Sequence, residues 1–518
     1  MRGDCFRFPR PFASCGLIAV VAMTVLLGGL LTIGFAPPAQ ALPSFARQTG
    51  QPCGTCHTNF PGLTPFGRRF KLLGYTTGGG LYKTTPFSNN PGMNDANAEL
   101  RSYASRIDGN SSAPTAAPVA EKGWVPPVSM MAIVGFTHTQ VPEIAPPTDP
   151  YKANDNTVLS PFSGFWGGAI TSNLGAFVQV TYNAPGPVSS LSGNPSDQFI
   201  HTWTWDNTDF RFASTANIAG LDVIYGITAN NNPTVQDPWN TTPAWAFPFA
   251  GSTLAATPGA KTIIEGAFAA HVGGVGAYTM LNDMLFLEFT GYQTLQFNQQ
   301  NSLGLNPFAS PGLFNGVAPY WRAAFEPHWG PHTFMLGTYG MIFNVNPWID
   351  TTFLQGTTGV LAQTNRFTDI GVDSQYQYQG SNYWVTLRAN YIREFQRLNA
   401  SFAQGASNPT NELNTLRLTG EFTFGGDNRI AVSGQYFDVW GTPDPGVYAA
   451  PTFANNSPNS NGWIAELDYI PFGVSKAPGW PWFNAKLGLQ YIYYNKFNGT
   501  TVGAQNNNTL FLHAWFAM

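Results

Sequence analysis

Thr415-Leu416-Arg417-Leu418-Thr419-Gly420-Glu421-Phe422-Thr423-Phe424 changes character at every residue. Leu416, Leu418, Gly420, Phe422 and Phe424 fall on one face, and Arg417, Thr419, Glu421 and Thr423 on the other. Successive side chains of a β-strand point to opposite sides, so this period of two predicts a strand with one apolar and one polar face. The pattern recurs on both sides of this stretch. Tyr383, Val385, Leu387, Ala389 and Tyr391 alternate with Trp384, Thr386, Arg388 and Asn390. Ile370, Val372, Tyr376 and Tyr378 alternate with Asp369, Asp373, Gln375 and Gln377. Phe483, Ala485, Leu487, Leu489, Tyr491 and Tyr493 alternate with Asn484, Lys486, Gly488 and Gln490.

Such strands bury their apolar faces in a sandwich core or turn them toward lipid. Several features favour lipid. The segments run to about ten residues, the length that crosses a bilayer when tilted. Tyr, Trp and Phe gather at strand ends, as in the aromatic girdles of outer-membrane barrels. The chain finishes on an alternating segment, Thr509-Leu510-Phe511-Leu512-His513-Ala514-Trp515-Phe516-Ala517-Met518. Long Asn-, Pro- and Gly-rich stretches, such as Asn230 to Pro258 and Pro443 to Gly462, suit extracellular loops. The fold expected is mainly β: an outer-membrane antiparallel barrel of about sixteen strands. A closed barrel needs no partner to cover a sheet edge, so a monomer is expected.

Composition agrees. Charged residues make up 10% of the 518-residue chain, against about 25% in an ordinary soluble domain. The net charge of −4 offers no basic stripe to a phosphate backbone, which excludes nucleic acid as a partner.

The N-terminus has the marks of an export signal. Arg2, Arg7 and Arg10 precede an apolar run from Gly16 to Ala36, and Ala39-Gln40-Ala41 is a small-x-small cleavage site. Cleavage after residue 41 removes Cys5 and Cys15, leaving two of the four cysteines. Four regions follow: the signal over 1–41, a short segment over 42–81, a linker over 82–122, and the barrel over 123–518.

The surviving cysteines lie in Cys53-Gly54-Thr55-Cys56-His57, the pattern of c-type haem attachment. Two thiols at this spacing add to neighbouring vinyl groups of the porphyrin, and the next residue, His57, reaches the iron as proximal ligand. A disulfide or a thioredoxin-like redox pair leaves His57 unexplained. A zinc site needs further Cys or His ligands, and none lies between Leu42 and Tyr82. Candidate distal ligands are Met93, Met130, Met131 and His138, or none of them. The segment Pro65 to Leu73 has helical character with Gly74 as a stop. Its Arg68, Arg69 and Lys71 are suited to pair with haem propionates, or equally to form a solvated helix face. A segment of about forty residues cannot bury a core unaided, so this one is expected to use haem and barrel as its core and to act as a plug. Gly78-Gly79-Gly80 is a candidate flexible lead into the wall. Inward-facing Asp369, Asp373, Glu394 and Glu421 are candidates for attracting cations or for ordinary lumen hydration.

Taken together, Pro43-Ser44-Phe45-Ala46-Arg47-Gln48-Thr49-Gly50, the haem motif and Leu63-Thr64-Pro65-Phe66-Gly67-Arg68 resemble the fused monohaem cytochrome–porin family. These are the outer-membrane iron oxidases of iron-oxidising bacteria. The close resemblance covers roughly residues 42–75; beyond them it rests on architecture, length and strand pattern. It implies Cys53 and Cys56 as thioether sites and His57 as proximal ligand of one haem c. It also implies an electron taken from outside, with Fe(II) the favoured donor, and collected by a periplasmic cytochrome or copper protein. With iron as donor the chain would be an Fe(II)-oxidising oxidoreductase. The competing expectation is a transport porin whose haem segment is a structural plug, gate or redox sensor.

Overall fold

The computed structural model describes residues 43–49, 51–76, 127–141, 154–182, 203–242, 249–348, 363–405, 408–475 and 480–518. The expected signal, the linker, Gly78-Gly79-Gly80 and Met93 lie outside these residues.

Among the described residues, sixteen wall strands run from Val128–Thr139 to Thr509–Ala517 in one closed antiparallel sheet. Two shorter pieces belong to existing strands. Gly312–Phe314 and Ala318–Phe325 pair with the same neighbour, His332–Pro347, and form one interrupted strand. His328–Trp329 prolongs the hairpin into that neighbour. Closure comes from the first strand meeting the last, with Met131 opposite Ala517, Ile133 opposite Trp515 and Gly135 opposite His513. No backbone edge is left open at this seam, as a lipid environment demands.

Burial shows which face meets lipid. In Thr410–Phe424 the polar Arg417, Thr419, Glu421 and Thr423 are buried, while Leu418 and Phe422 are exposed. In Asn365–Gln379, Asp369, Asp373, Gln375 and Gln377 are buried, while Ile370 and Val372 are exposed. Val275, Phe289, Ile227 and Leu336 continue this outward apolar surface around the wall. Exposed Leu and Val beside buried Arg and Asp is the inverse of a soluble protein, and the solvent around this wall is hydrocarbon. The protein is an outer-membrane β-barrel.

Short turns, such as those joining Ile218 to Leu221 and Leu281 to Leu285, share one end with the first residues of the wall and with Met518. Long connections leave the other end. In this class the short-turn end faces the periplasm.

The lumen holds the apolar packing. Helix α1 (Pro43–Thr49), the single turn α2 (Cys53–Cys56) and α3 (Pro65–Leu72) lie inside the barrel. Phe66, Leu72 and Leu73 pack there against Trp239, Tyr278, Phe286 and Met335. A second filler comes from the connection between Asn230 and Val272, part of which was expected to be an extracellular loop. Its described residues fold inward instead. Ile263, Ile264 and Phe268 pack on lumen-facing Tyr292, Tyr320, Tyr339 and Phe343. An apolar segment inside a polar-lined lumen excludes more water by packing on those rings than by standing outside.

The inward carboxylates anchor these fillers. Glu394 accepts from the Ile263 amide at 2.6 Å and Asp369 from the Ile264 amide at 2.8 Å. Asp373 accepts from the Thr241 hydroxyl of the inward loop and pairs with Arg322 at 2.5 Å, and Glu421 accepts from the Asn59 amide at 3.3 Å. These four side chains hold the plug and the inward loop, so neither free cation attraction nor plain hydration describes them.

Candidate functional site

The haem motif is positioned by turns and by the barrel floor. Pro52 precedes α2, and the His57 amide donates to the Cys53 carbonyl at 2.8 Å, closing one helical turn. The Gly54 amide donates at 2.8 Å to the carbonyl of Val474, on the connection between two wall strands. A Cβ on Gly54 would stand 2.9 Å from the Val474 side chain, so the smallest residue permits this docking. A tight turn then returns the chain, with Gly62 donating to Asn59 and Thr58 to Gly62.

The stretch Leu63 to Arg68 folds back over the motif. Thr64 caps α3 by accepting from the Gly67 amide at 3.1 Å, and its own amide donates to the Cys56 carbonyl at 3.0 Å. A Cβ on Gly67 would meet the Cys56 carbonyl oxygen at 2.3 Å, so only glycine lets α3 approach this closely. Phe45 of α1 stacks on Tyr75 at 5.6 Å and meets Phe70 edge-on at 5.1 Å.

These pieces leave a cavity of about 390 Å³ at the periplasmic end, lined by Cys53, Cys56, His57, Phe45, Phe70 and Trp515 among other residues. Its walls are chiefly apolar, and its size falls among ordinary ligand sites.

The electrostatics of the cysteine pair argue against a redox-active dithiol. Burial pushes the Cys56 thiol up to about 12, and burial together with the neighbouring Cys56 pushes Cys53 well above the usual thiol range. A redox-active pair needs a lowered thiol pKa, so this environment disfavours a thioredoxin-like role. Burial lowers His57 from 6.5 to about 4, outweighing the carbonyls of Pro61 and Gly62 that raise it. The ring is therefore neutral near neutrality, as a metal-ligating imidazole must be. His57 Nδ1 lies 3.4 Å from the Pro61 carbonyl oxygen; a proton there leaves Nε2 as the free donor atom.

A pH dependence follows. Because the His57 value is lowered on folding, the unfolded chain binds the extra proton first. Plug docking is at full strength above 6.5 and weakens as pH falls toward 4. In haem-free protein, the protection factors of the amides over residues 51–76, referred to the intrinsic exchange rate at each pH, are expected to fall from pH 7 to pH 4.5, while the wall strands keep theirs. Equal protection of the plug at both pH values would contradict this.

The remaining predicted residues are distributed as follows. Lys71 lines the cavity; its Nζ also reaches the carbonyls of Val235 and Asp237, the latter at 3.0 Å, and burial lowers it to about 8. Arg68 and Arg69 face the wall. Arg68 pairs with Glu326 at 3.0 Å and with Gln377 at 2.7 Å, and Arg69 pairs with Asp283. Buried guanidinium groups need carboxylates close by, and the wall supplies them. Met130 and Met131 both line the cavity, but alternation turns Met130 toward lipid and Met131 toward the lumen beside Phe60 and Trp515. His138 sits at the far end of the same strand, paired with Asp155 at 2.7 Å, away from the cavity.

Composition and spacing did not reveal the aromatic contact from the last strand. Phe60 meets Trp515 at 4.7 Å and His57 at 5.0 Å. One signal was present: among the alternate positions Phe511, His513, Trp515 and Ala517, a lone histidine marks the lumen face.

No family model matches this sequence, and no curated protein matches it. Among solved structures, the chain is similar to OprB of Pseudomonas putida at 12% identity, covering 75% of this chain and 93% of that one, with a TM-score of 0.41. It is also similar to OmpF of Salmonella typhi, at 12% identity, 76% and 97% coverage and a TM-score of 0.41. OmpT of Vibrio cholerae follows at 9% identity, 77% and 100% coverage and a TM-score of 0.39.

Proposed function

We propose that this barrel is an outer-membrane c-type cytochrome that passes electrons from an extracellular donor, Fe(II) above others, to a periplasmic cytochrome or copper protein. One observation carries the reading: Cys53, Cys56 and His57 converge on an apolar cavity between the plug and the barrel wall. Haem c, bound there, supplies a one-electron iron couple.

The chain's own residues do the rest. Cys53 and Cys56 tether the ring, and His57 offers an imidazole held neutral by burial. Met131, which lines the cavity from the wall, would be a thioether available to the iron, and Lys71, which also lines it, would be a cation available to a propionate. Phe45, Phe70 and Trp515 exclude water from the ring faces. The hydrocarbon layer is about 30 Å thick, and electron transfer weakens steeply with distance. A cofactor seated inside the barrel shortens the path from each aqueous side, which one on the periplasmic surface could not do.

The barrel architecture favours a second reading, a porin-like transport channel whose haem segment is a plug, gate or redox sensor. Lys71 of the plug meets the inward loop at Val235 and Asp237, so the two fillers close on each other inside the lumen. The test separates the readings. Proteoliposomes carrying the full-length protein are given Fe(II) outside as the only reductant, and the same protein is placed in planar bilayers. Electron transfer predicts a reduced haem spectrum and little steady conductance. Free passage of ions or sugars with no reduction by Fe(II) would leave the channel reading standing.

A further inference from the structure

Four lumen residues near the plug form a cluster with a chemistry of its own. Glu466 and Asp468 face inward from Ser460–Tyr469, Lys486 from Asn484–Lys496, and His513 from Thr509–Ala517. One ligand atom from each of Glu466, Asp468 and His513 falls within 4.8 Å of the others, and all three residues are buried.

Part of this cluster is satisfied. Asp468 Oδ2 accepts from Asn59 of the plug at 2.6 Å and from Lys486 at 3.3 Å. Glu466 accepts from Gln490 at 2.6 Å, and its Oε1 lies 3.5 Å from the Lys486 ammonium. The other part is not. Asp468 Oδ1 and both ring nitrogens of His513 make no hydrogen bond, although His513 is 2% and Asp468 0% exposed. His513 Nε2 stands 3.9 Å from Glu466 Oε1. Buried polar atoms without partners carry an uncompensated desolvation cost, which a bound cation would offset at the atoms it touches.

Gly488 lets the cluster lie close against its strand: a Cβ there would stand 2.2 Å from His513 Nε2 and 2.8 Å from Asp468 Oδ1, so any side chain at 488 would displace both atoms. One imidazole with two carboxylates is a donor set for a divalent first-row metal. Two carboxylates against one ammonium leave a net negative site.

We infer that Asp468 Oδ1, His513 Nε2 and Glu466 bind a divalent first-row metal ion, and that this is where the substrate Fe(II) waits before it is oxidised. The position matches that task. Trp515 follows His513 on the same lumen face, Phe60 lies against Trp515 at 4.7 Å, and His57 lies against Phe60 at 5.0 Å. Lys486 spans the same gap, 5.0 Å over the Trp515 ring and 3.1 Å from the Phe60 carbonyl oxygen. His513 is the outward member of this row, on the side from which extracellular iron arrives. One electron leaves the bound ferrous ion, which becomes ferric, and one ferric haem iron becomes ferrous; no bond to the protein is made or broken. The use of the electron rests on the electron-transfer reading above, whereas the binding of the metal does not.

The test uses the full-length protein in detergent without oxygen, with Co(II) as a spectroscopic probe and Fe(II) as reductant. The expected result is one Co(II) per barrel, bound at least about tenfold more weakly in H513A, D468N and G488A. K486M is expected to bind Co(II) more tightly, since the resident ammonium is gone. The rate of haem reduction by Fe(II) falls in H513A and D468N, while dithionite still reduces their haem completely. D468N keeps the shape of the side chain, and G488A alters no ligand, so misfolding of H513A does not decide the matter. Co(II) binding equal in wild type and all three weakening variants overturns the inference, even if Fe(II) still reduces the haem. Co(II) bound at this site in a protein whose haem ignores Fe(II) keeps the site and overturns the electron-transfer reading.

Discussion

Replacing Cys53 and Cys56 together by alanine is expected to abolish covalent haem while leaving a folded barrel. Mass spectrometry of the mature wild-type chain should show one haem added, and the C53A/C56A chain should show none. On the proposed reading the effect is all-or-nothing, because these two sulfurs would be the attachment points and no described residue besides them is a cysteine. The wall has no stake in the change: its strands pair with one another around a closed ring. Heat-modifiable migration and β-rich circular dichroism should therefore persist. The plug should not be indifferent. Its apolar residues surround a cavity of about 390 Å³, and emptying such a space removes contacts from every ring that lines it. Faster proteolysis between residues 43 and 76 is expected. Two unmodified sulfurs in the wild-type chain would refute the cytochrome reading and leave the channel reading.

The second large effect is expected at Arg68. Its guanidinium donates in three directions: to the Leu63 carbonyl at 3.0 Å, to Gln377 at 2.7 Å and to Glu326 at 3.0 Å. Arg68, Glu326 and Gln377 are all buried at the periplasmic end of the lumen, where little water is at hand to replace a lost partner. Arg68→Ala leaves the Glu326 carboxylate with the Trp239 indole N–H as its recorded donor. Removing one member of a buried ion pair costs about 3–5 kcal/mol. The penalty falls on plug docking, since Glu326 belongs to the wall and remains there. Hydrogen exchange over residues 63–76 should accelerate by roughly a hundredfold or more, at 1.4 kcal/mol per factor of ten. Arg68→Lys keeps the charge and loses the fork, so an intermediate acceleration is expected. Unchanged exchange in R68A would show that the apolar contacts of Phe66, Leu72 and Leu73 hold the plug unaided.

The two substitutions probe different bonds of one assembly. On the proposed reading the cysteines would join plug to cofactor, whereas Arg68 joins plug to wall. A bound haem is expected to slow plug exchange further, because a ring seated in this cavity would also pack on Trp515 of the last strand, which lines it. Loss of haem and loss of the Arg68 pair should therefore couple, so the exchange acceleration in the combined variant is expected to differ from the product of the two separate accelerations.

The wall was legible in the chain because alternation is a local property. Ile370 and Asp369 need no distant partner to declare opposite faces, and the structure places them in hydrocarbon and lumen respectively. The helix over Pro65–Leu72 was legible for the same reason: Thr64 and Pro65 mark its start, and Gly74 follows its end. The haem motif too is a matter of adjacent residues. Contacts across the ring are of another kind. Asn59 meets Asp468 and Arg68 meets Glu326 across separations of hundreds of residues. Nothing in the spacing of Glu466, Asp468, Lys486 and His513 announces that they share one spot, since the pairing register of three successive strands sets them side by side.

By itself, then, the order of residues determined an alternating strand pattern, its apolar face toward lipid, and a cysteine pair followed by histidine. Those follow from side-chain direction and covalent spacing, which act over a few residues. The tertiary structure alone decided that Arg68 and Arg69 turn to the wall, that residues 231–271 lend their described part to the lumen, and that His513 joins two carboxylates beside the plug. Each of these depends on burial, and burial exists only once the ring is closed and its interior filled.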